Sequence, residues 1–93
     1  MTSRLYMVIE NFKGGDAVPV YRRFRDRGRM APEGVTYVSS RVDAELTRCF
    51  QLMETHDRGL LDSRVANWSD LVDFEIVPVM TSKDAADQVA PSL

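Results

Sequence analysis

Glu10, Arg41 and Gln51 are the residues whose chemistry best suits work on a small molecule. An arginine presents a planar fork to a carboxylate or an enolate. A buried, unpaired carboxylate has a raised pKa and can act as a general base. The Arg–Glu pair has an equally good structural explanation, because buried charges need partners. Cys49 is the single cysteine, so no intrachain disulfide forms, which fits a reducing compartment. It becomes a nucleophile only where its thiolate is stabilised beside a base. Between apolar strand neighbours it reads instead as a small core residue.

His56 is the only histidine. Its pKa suits acid–base work, but its place after the third strand suits an exposed loop. No cysteine or carboxylate stands at ligand spacing from it, so no metal site or resident cofactor is expected. Trp68 is expected to pin a helix to the sheet, with its N–H finding a partner; lining a pocket is the lesser alternative. Arg22, Arg23, Arg25, Arg27 and Arg29 crowd one segment. Such a cluster can grip phosphates. Asp16, Asp26 and Glu33 interleave with it, and no base-stacking aromatic is free beside it. A solvated face is therefore expected rather than a nucleic-acid site. An anionic ligand or a partner's acidic patch remains open to it.

These residues must be held by regular elements. Leu5 to Phe12 opens with an apolar run typical of a strand covered on both faces. Gly14 and Gly15 supply a turn, and Asp16 can cap a helix over Ala17 to Arg27. Ala17, Val20, Tyr21 and Phe24 form its apolar stripe, and Gly28 ends it. Val35 to Val42 and Arg48 to Glu54 read as a hairpin. Asp57 can cap a second helix that turns Leu61, Val65 and Trp68 inward. Phe74 to Val79 is the fourth strand, and Pro78 places it at a sheet edge or ends it there. Thr81 can cap a short helix over Lys83 to Val89, with a frayed end beyond it.

The order strand, helix, strand, strand, helix, strand is the split βαβ pattern. The expected class is α+β and ferredoxin-like: a four-stranded antiparallel sheet with two helices on one face. The chain is expected to be one domain over residues 1–93, with a core at 4–82 and a C-terminal helix and tail at 83–93. Strand parity separates two sets of side chains. The purely apolar set, with Leu5, Met7, Ile9, Phe50 and Leu52, should meet the helices. The mixed set, Tyr6, Val8, Glu10, Tyr37, Ser39, Arg41, Cys49, Gln51 and Met53, should point away. Two such mixed faces are expected to meet in a homodimer and enclose a cavity for a small organic ligand. One bulge would reverse this assignment.

The runs Leu5-Tyr6-Met7-Val8-Ile9-Glu10, Arg48-Cys49-Phe50-Gln51-Leu52-Met53-Glu54 and Asn67-Trp68-Ser69-Asp70-Leu71-Val72-Asp73-Phe74-Glu75-Ile76 resemble a family of small bacterial proteins. That family is known only as a domain of unknown function. The likeness covers residues 5–82, and its most specific part begins at Trp68. The family in turn resembles a branch of the dimeric α/β-barrel superfamily, which implies a homodimer of ferredoxin-like subunits. That superfamily includes cofactor-free monooxygenases, muconolactone isomerases, haem-binding chlorite dismutase relatives and ligand sensors. Fold membership therefore selects no activity. No catalytic motif of those proteins maps onto this chain.

Three functions follow in order of expectation. The first is a small-molecule-binding homodimer. The second is a cofactor-independent monooxygenase or isomerase acting on a small enolisable substrate, with Glu10, Tyr37, Arg41 and Gln51 as the first suspects. The third is an interaction module using the arginine-rich helix. The net charge of −2 gives no pull toward nucleic acid or an anionic membrane. No run approaches the roughly 20 apolar residues of a membrane span, and no signal peptide is visible, so a cytoplasmic protein is expected.

Overall fold

The structure, a computed structural model, describes residues 2–93; Met1, part of the expected domain, lies outside the described residues. Its strands are β1 (Arg4–Phe12), β2 (Val35–Val42), β3 (Arg48–Thr55) and β4 (Val72–Val79). Its helices are α1 (Val18–Arg27), α2 (Gly59–Ala66) and α3 (Ser82–Val89). All strand pairs are antiparallel, and the order across the sheet is β2-β3-β1-β4. Pro78 thus sits in an edge strand, where its missing N–H costs no ladder bond.

Short polar side chains start the helices. Asp16 Oδ1 accepts from the Val18 N–H at 3.0 Å, and Asp57 Oδ1 from Gly59 at 2.9 Å. Thr81 Oγ1 accepts from Asp84 at 3.0 Å to start α3. Gly28 ends α1 at φ 70°, a left-handed conformation that a Cβ would strain. The β2–β3 turn is held by Asp43, whose carboxylate accepts from the Thr47 and Arg48 N–H groups. The chain end is a 3-10 turn over Ala90–Ser92, where fraying is the expectation.

Helices α1 and α2 cover the same sheet face. Val20 of α1 packs with Phe12, Cys49, Trp68 and Val72, and Leu61 of α2 with Tyr6, Val8 and Met53. The expected face assignment is therefore overturned. The mixed residues Tyr6, Val8, Glu10, Cys49, Gln51 and Met53 lie buried beneath the helices. Leu5, Met7, Ile9, Phe50 and Leu52 lie half-exposed on the opposite face. The physical reason is Arg64 of α2, which brings a charge partner down onto Glu10, so this polar face can be buried. A bulge between Tyr37 and Ser39 then splits β2. Tyr37 stays on the helix-covered face, opposite Met53, while Arg41 moves to the open face, opposite Phe50.

Candidate functional site

A cavity of about 160 Å³ lies between the sheet and the helices. Strand β1 contributes Glu10 and Phe12 to its wall, and β3 contributes Cys49 and Gln51. The apolar stripe of α1 contributes Val20, Tyr21 and Phe24, and α2 contributes Arg64. Arg29 from the α1–β2 loop, Trp68, Ser40 and Val42 complete it. Aromatic walls with a few convergent polar groups are the usual make-up of a small-molecule site.

The polar groups form one cluster. Arg64 Nη1 lies 3.2 Å from Glu10 Oε2, and both side chains are 3% exposed. The contact is close in distance but not aligned as a hydrogen bond, and both atoms lack such a partner. Arg64 Nη2 donates to Gln51 Oε1 at 3.3 Å. Arg64 Nε and Arg29 Nε are also buried without a partner. Each unsatisfied buried group costs about 1–3 kcal/mol, so this wall is under-satisfied for a purely structural core.

The chain fixes Arg29 with some care. Its carbonyl accepts from Trp68 Nε1 at 3.0 Å, and the Met30 carbonyl accepts from Asn67 Nδ2 at 3.2 Å. The Arg29 guanidinium stacks 3.7 Å from the Tyr37 ring centroid and 5.1 Å from that of Phe24. Arg23 holds α1 to the same turn, donating through both terminal nitrogens to Asp70 at 2.6 Å. The segment Asn67 to Asp70 is thus a clasp that sets Arg29 above the cavity.

Burial pushes the Glu10 carboxyl above its ordinary range, while Arg64 and Arg29 pull it back. Burial also raises the Cys49 thiol, and nearby Glu10 raises it further. The shift favours the neutral thiol of Cys49 over the thiolate. The Tyr21 phenol is likewise raised, first by burial.

Of the sequence candidates, Glu10, Cys49 and Gln51 come together in this cavity with Trp68. Tyr6 and Met53 fill the neighbouring core cluster. Tyr37 touches the site through Arg29. Arg41 is on the other face and donates to the Ser40 carbonyl at 2.6 Å. His56 is exposed after β3. In the arginine run, Arg23 and Arg25 are paired with Asp70 and Asp26, and Arg29 turns to the cavity. Sequence reasoning missed Arg64 and the special place of Arg29. A signal existed for Arg64: it stands three residues after Leu61, on the inward stripe of α2, where a charge needs a partner.

Among the described residues, no group of three or more His, Cys, Asp and Glu is placed to hold a metal ion. Among the described residues, no helix is long and apolar enough to cross a membrane. Residues 4–93 match the model of a family described as Domain of unknown function (DUF3303). No curated protein matches the chain, and no solved structure matches it.

Proposed function

We propose, for a chain that belongs to the DUF3303 domain family, that its function is to bind a small organic molecule in the cavity between sheet and helices. The observation that carries this is the under-satisfied wall: Arg64 Nε and Arg29 Nε are buried without a partner, and the Glu10 Oε2–Arg64 Nη1 ion pair is not aligned as a hydrogen bond. A bound molecule can meet these groups once the side chains turn toward it. This site lies inside one subunit, beneath the helices. Native mass spectrometry of gently purified protein tests the proposal. A small adduct, lost on denaturation and absent from the Arg64→Gln variant, supports it. Protein that stays empty, and takes up no ring-sized fragment in ligand-observed NMR, contradicts it.

Glu10 favours a second reading. A carboxylate beside a cavity, raised by burial and flanked by Arg64, can take a proton from carbon next to a carbonyl while the guanidinium holds the enolate. The class would be a cofactor-independent isomerase or oxygenase. Solvent deuterium should then enter a recovered ligand in the wild type and not in Glu10→Gln.

We also infer a ferredoxin-like fold of the dimeric α/β-barrel kind, with a second copy covering the open sheet face. Leu5, Met7, Ile9, Phe50, Leu52, Val77 and Val79 lie there half-exposed, and an apolar face of that kind calls for a cover. One row across it runs Arg41, Phe50, Ile9, Glu75. A two-fold axis along the strands would set Arg41 against Glu75 of the partner subunit. Phe50→Lys should give a folded monomer in sedimentation; a wild type that is already monomeric at micromolar concentration contradicts the dimer.

A further inference from the structure

We propose that the molecule bound in this cavity is a monoanionic ring acid that also carries a hydroxyl. The inference deepens the small-molecule reading and rests on it.

Charge argues for one negative group. Arg29 and Arg64 bring two positive charges to the wall, and Glu10, 3.2 Å from Arg64, is placed to offset one of them. Cys49 and Tyr21, the other titratable groups facing the cavity, stay neutral at pH 7 because burial raises both. The site thus carries one positive charge in excess, on the half-buried Arg29. One carboxylate neutralises it and pairs with a guanidinium fork. Guanidinium groups suit carboxylates better than ammonium groups do, because their donors lie in a planar fork.

Hydrogen-bond capacity argues for the hydroxyl. Arg64 Nε and Arg29 Nε are donors with no partner at all; Glu10 Oε2 is ion-paired with Arg64 Nη1 at 3.2 Å but receives no aligned hydrogen bond. A carboxylate offers acceptors and no donor. A ligand matching the whole set therefore needs one donor as well, and a hydroxyl beside Glu10 supplies it.

Size and lining argue for a ring. The cavity measures about 160 Å³, and protein cavities of about 150 Å³ take up benzene. Phe12, Phe24 and Trp68 line it, and aromatic side chains pair with another ring in offset or edge-on geometry.

Isothermal calorimetry on the full chain tests this with benzoate, benzamide, acetate and the three hydroxybenzoates. Benzoate should bind at least ~10-fold more tightly than benzamide, with acetate weaker still. The best hydroxybenzoate should exceed benzoate by about fivefold, the worth of one hydrogen bond, and Glu10→Gln should cancel that gain. Arg64→Gln should erase the benzoate preference. Should that variant not fold, Arg29→Gln, in the partly exposed loop, should reduce the preference at least ~3-fold on the same arithmetic. Benzamide equal to benzoate would overturn the anionic class and leave the small-molecule reading standing. Acetate equal to benzoate would overturn the ring, and no gain from any hydroxyl would overturn the donor. No binding of any ring compound below ~10 mM would overturn the pocket reading itself.

Discussion

Arg64 of α2 and Glu10 of β1 approach to 3.2 Å with both side chains 3% exposed, yet they are not aligned as a hydrogen bond. Removing one partner of a buried pair strands the other, at a cost of about 3–5 kcal/mol. Arg64→Met alone should destabilise the protein by about that amount, measured as a lowered urea midpoint. The double variant Glu10→Leu with Arg64→Met should be more stable than Arg64→Met alone, because no charge is left unpaired.

The same carboxyl gives a pH signature. Burial raises Glu10 from its ordinary value of 4.5. A raised carboxyl binds protons more readily in the folded chain than in the unfolded one. Its favourable contribution is therefore fully present below 4.5 and is lost as pH rises through the folded value. Relative to Glu10→Gln, the wild type should lose stability as pH climbs above 4.5 and through the folded value. Paired urea titrations across that range read the difference; parallel curves would show that Glu10 titrates as it does in the unfolded chain.

Asp70 shows the opposite sign. The Arg23 guanidinium holds its carboxyl at about 2, below the ordinary 3.8. Its contribution is present above 3.8 and is lost as pH falls through about 2. Asp70→Asn should lower Tm at neutral pH, and the gap should close as pH falls toward 2. The same variant frees α1 from the clasp, so it should also weaken benzoate binding, by less than Arg64→Gln does. Unchanged binding would show that the clasp does not position Arg29.

Much of the fold was legible because local chemistry and global structure agree. The β2 limits at Val35 and Val42 follow from β-branched and aromatic residues bounded by Gly34 and Asp43. Pro78 announced an edge strand, and Trp68 announced a buried indole in need of an acceptor, which is the Arg29 carbonyl. The choice of sheet face was not legible. Period-2 patterning separates Leu5 from Tyr6 but does not say which set a helix covers. Polarity argued for exposing Glu10 and Gln51, and the charge that allows their burial arrives from Arg64, far away in sequence. The β2 bulge carried no glycine to mark it, so Tyr37 and Arg41 were placed on one face though they occupy two. Parity groups Glu10, Cys49 and Gln51 on one face whichever face that is, and the three line the same cavity.

The most direct measurement follows the arginine side-chain N–H resonances of the labelled protein by NMR during a benzoate titration. If the cavity takes the ring acid, the Nε–H signals of Arg64 and Arg29 shift together and saturate. Those of Arg25 and Arg58, paired with Asp26 and Asp62 on the surface, stay in place. If the surface arginines shift while Arg64 and Arg29 do not, benzoate binds outside the cavity and the account of this site is contradicted.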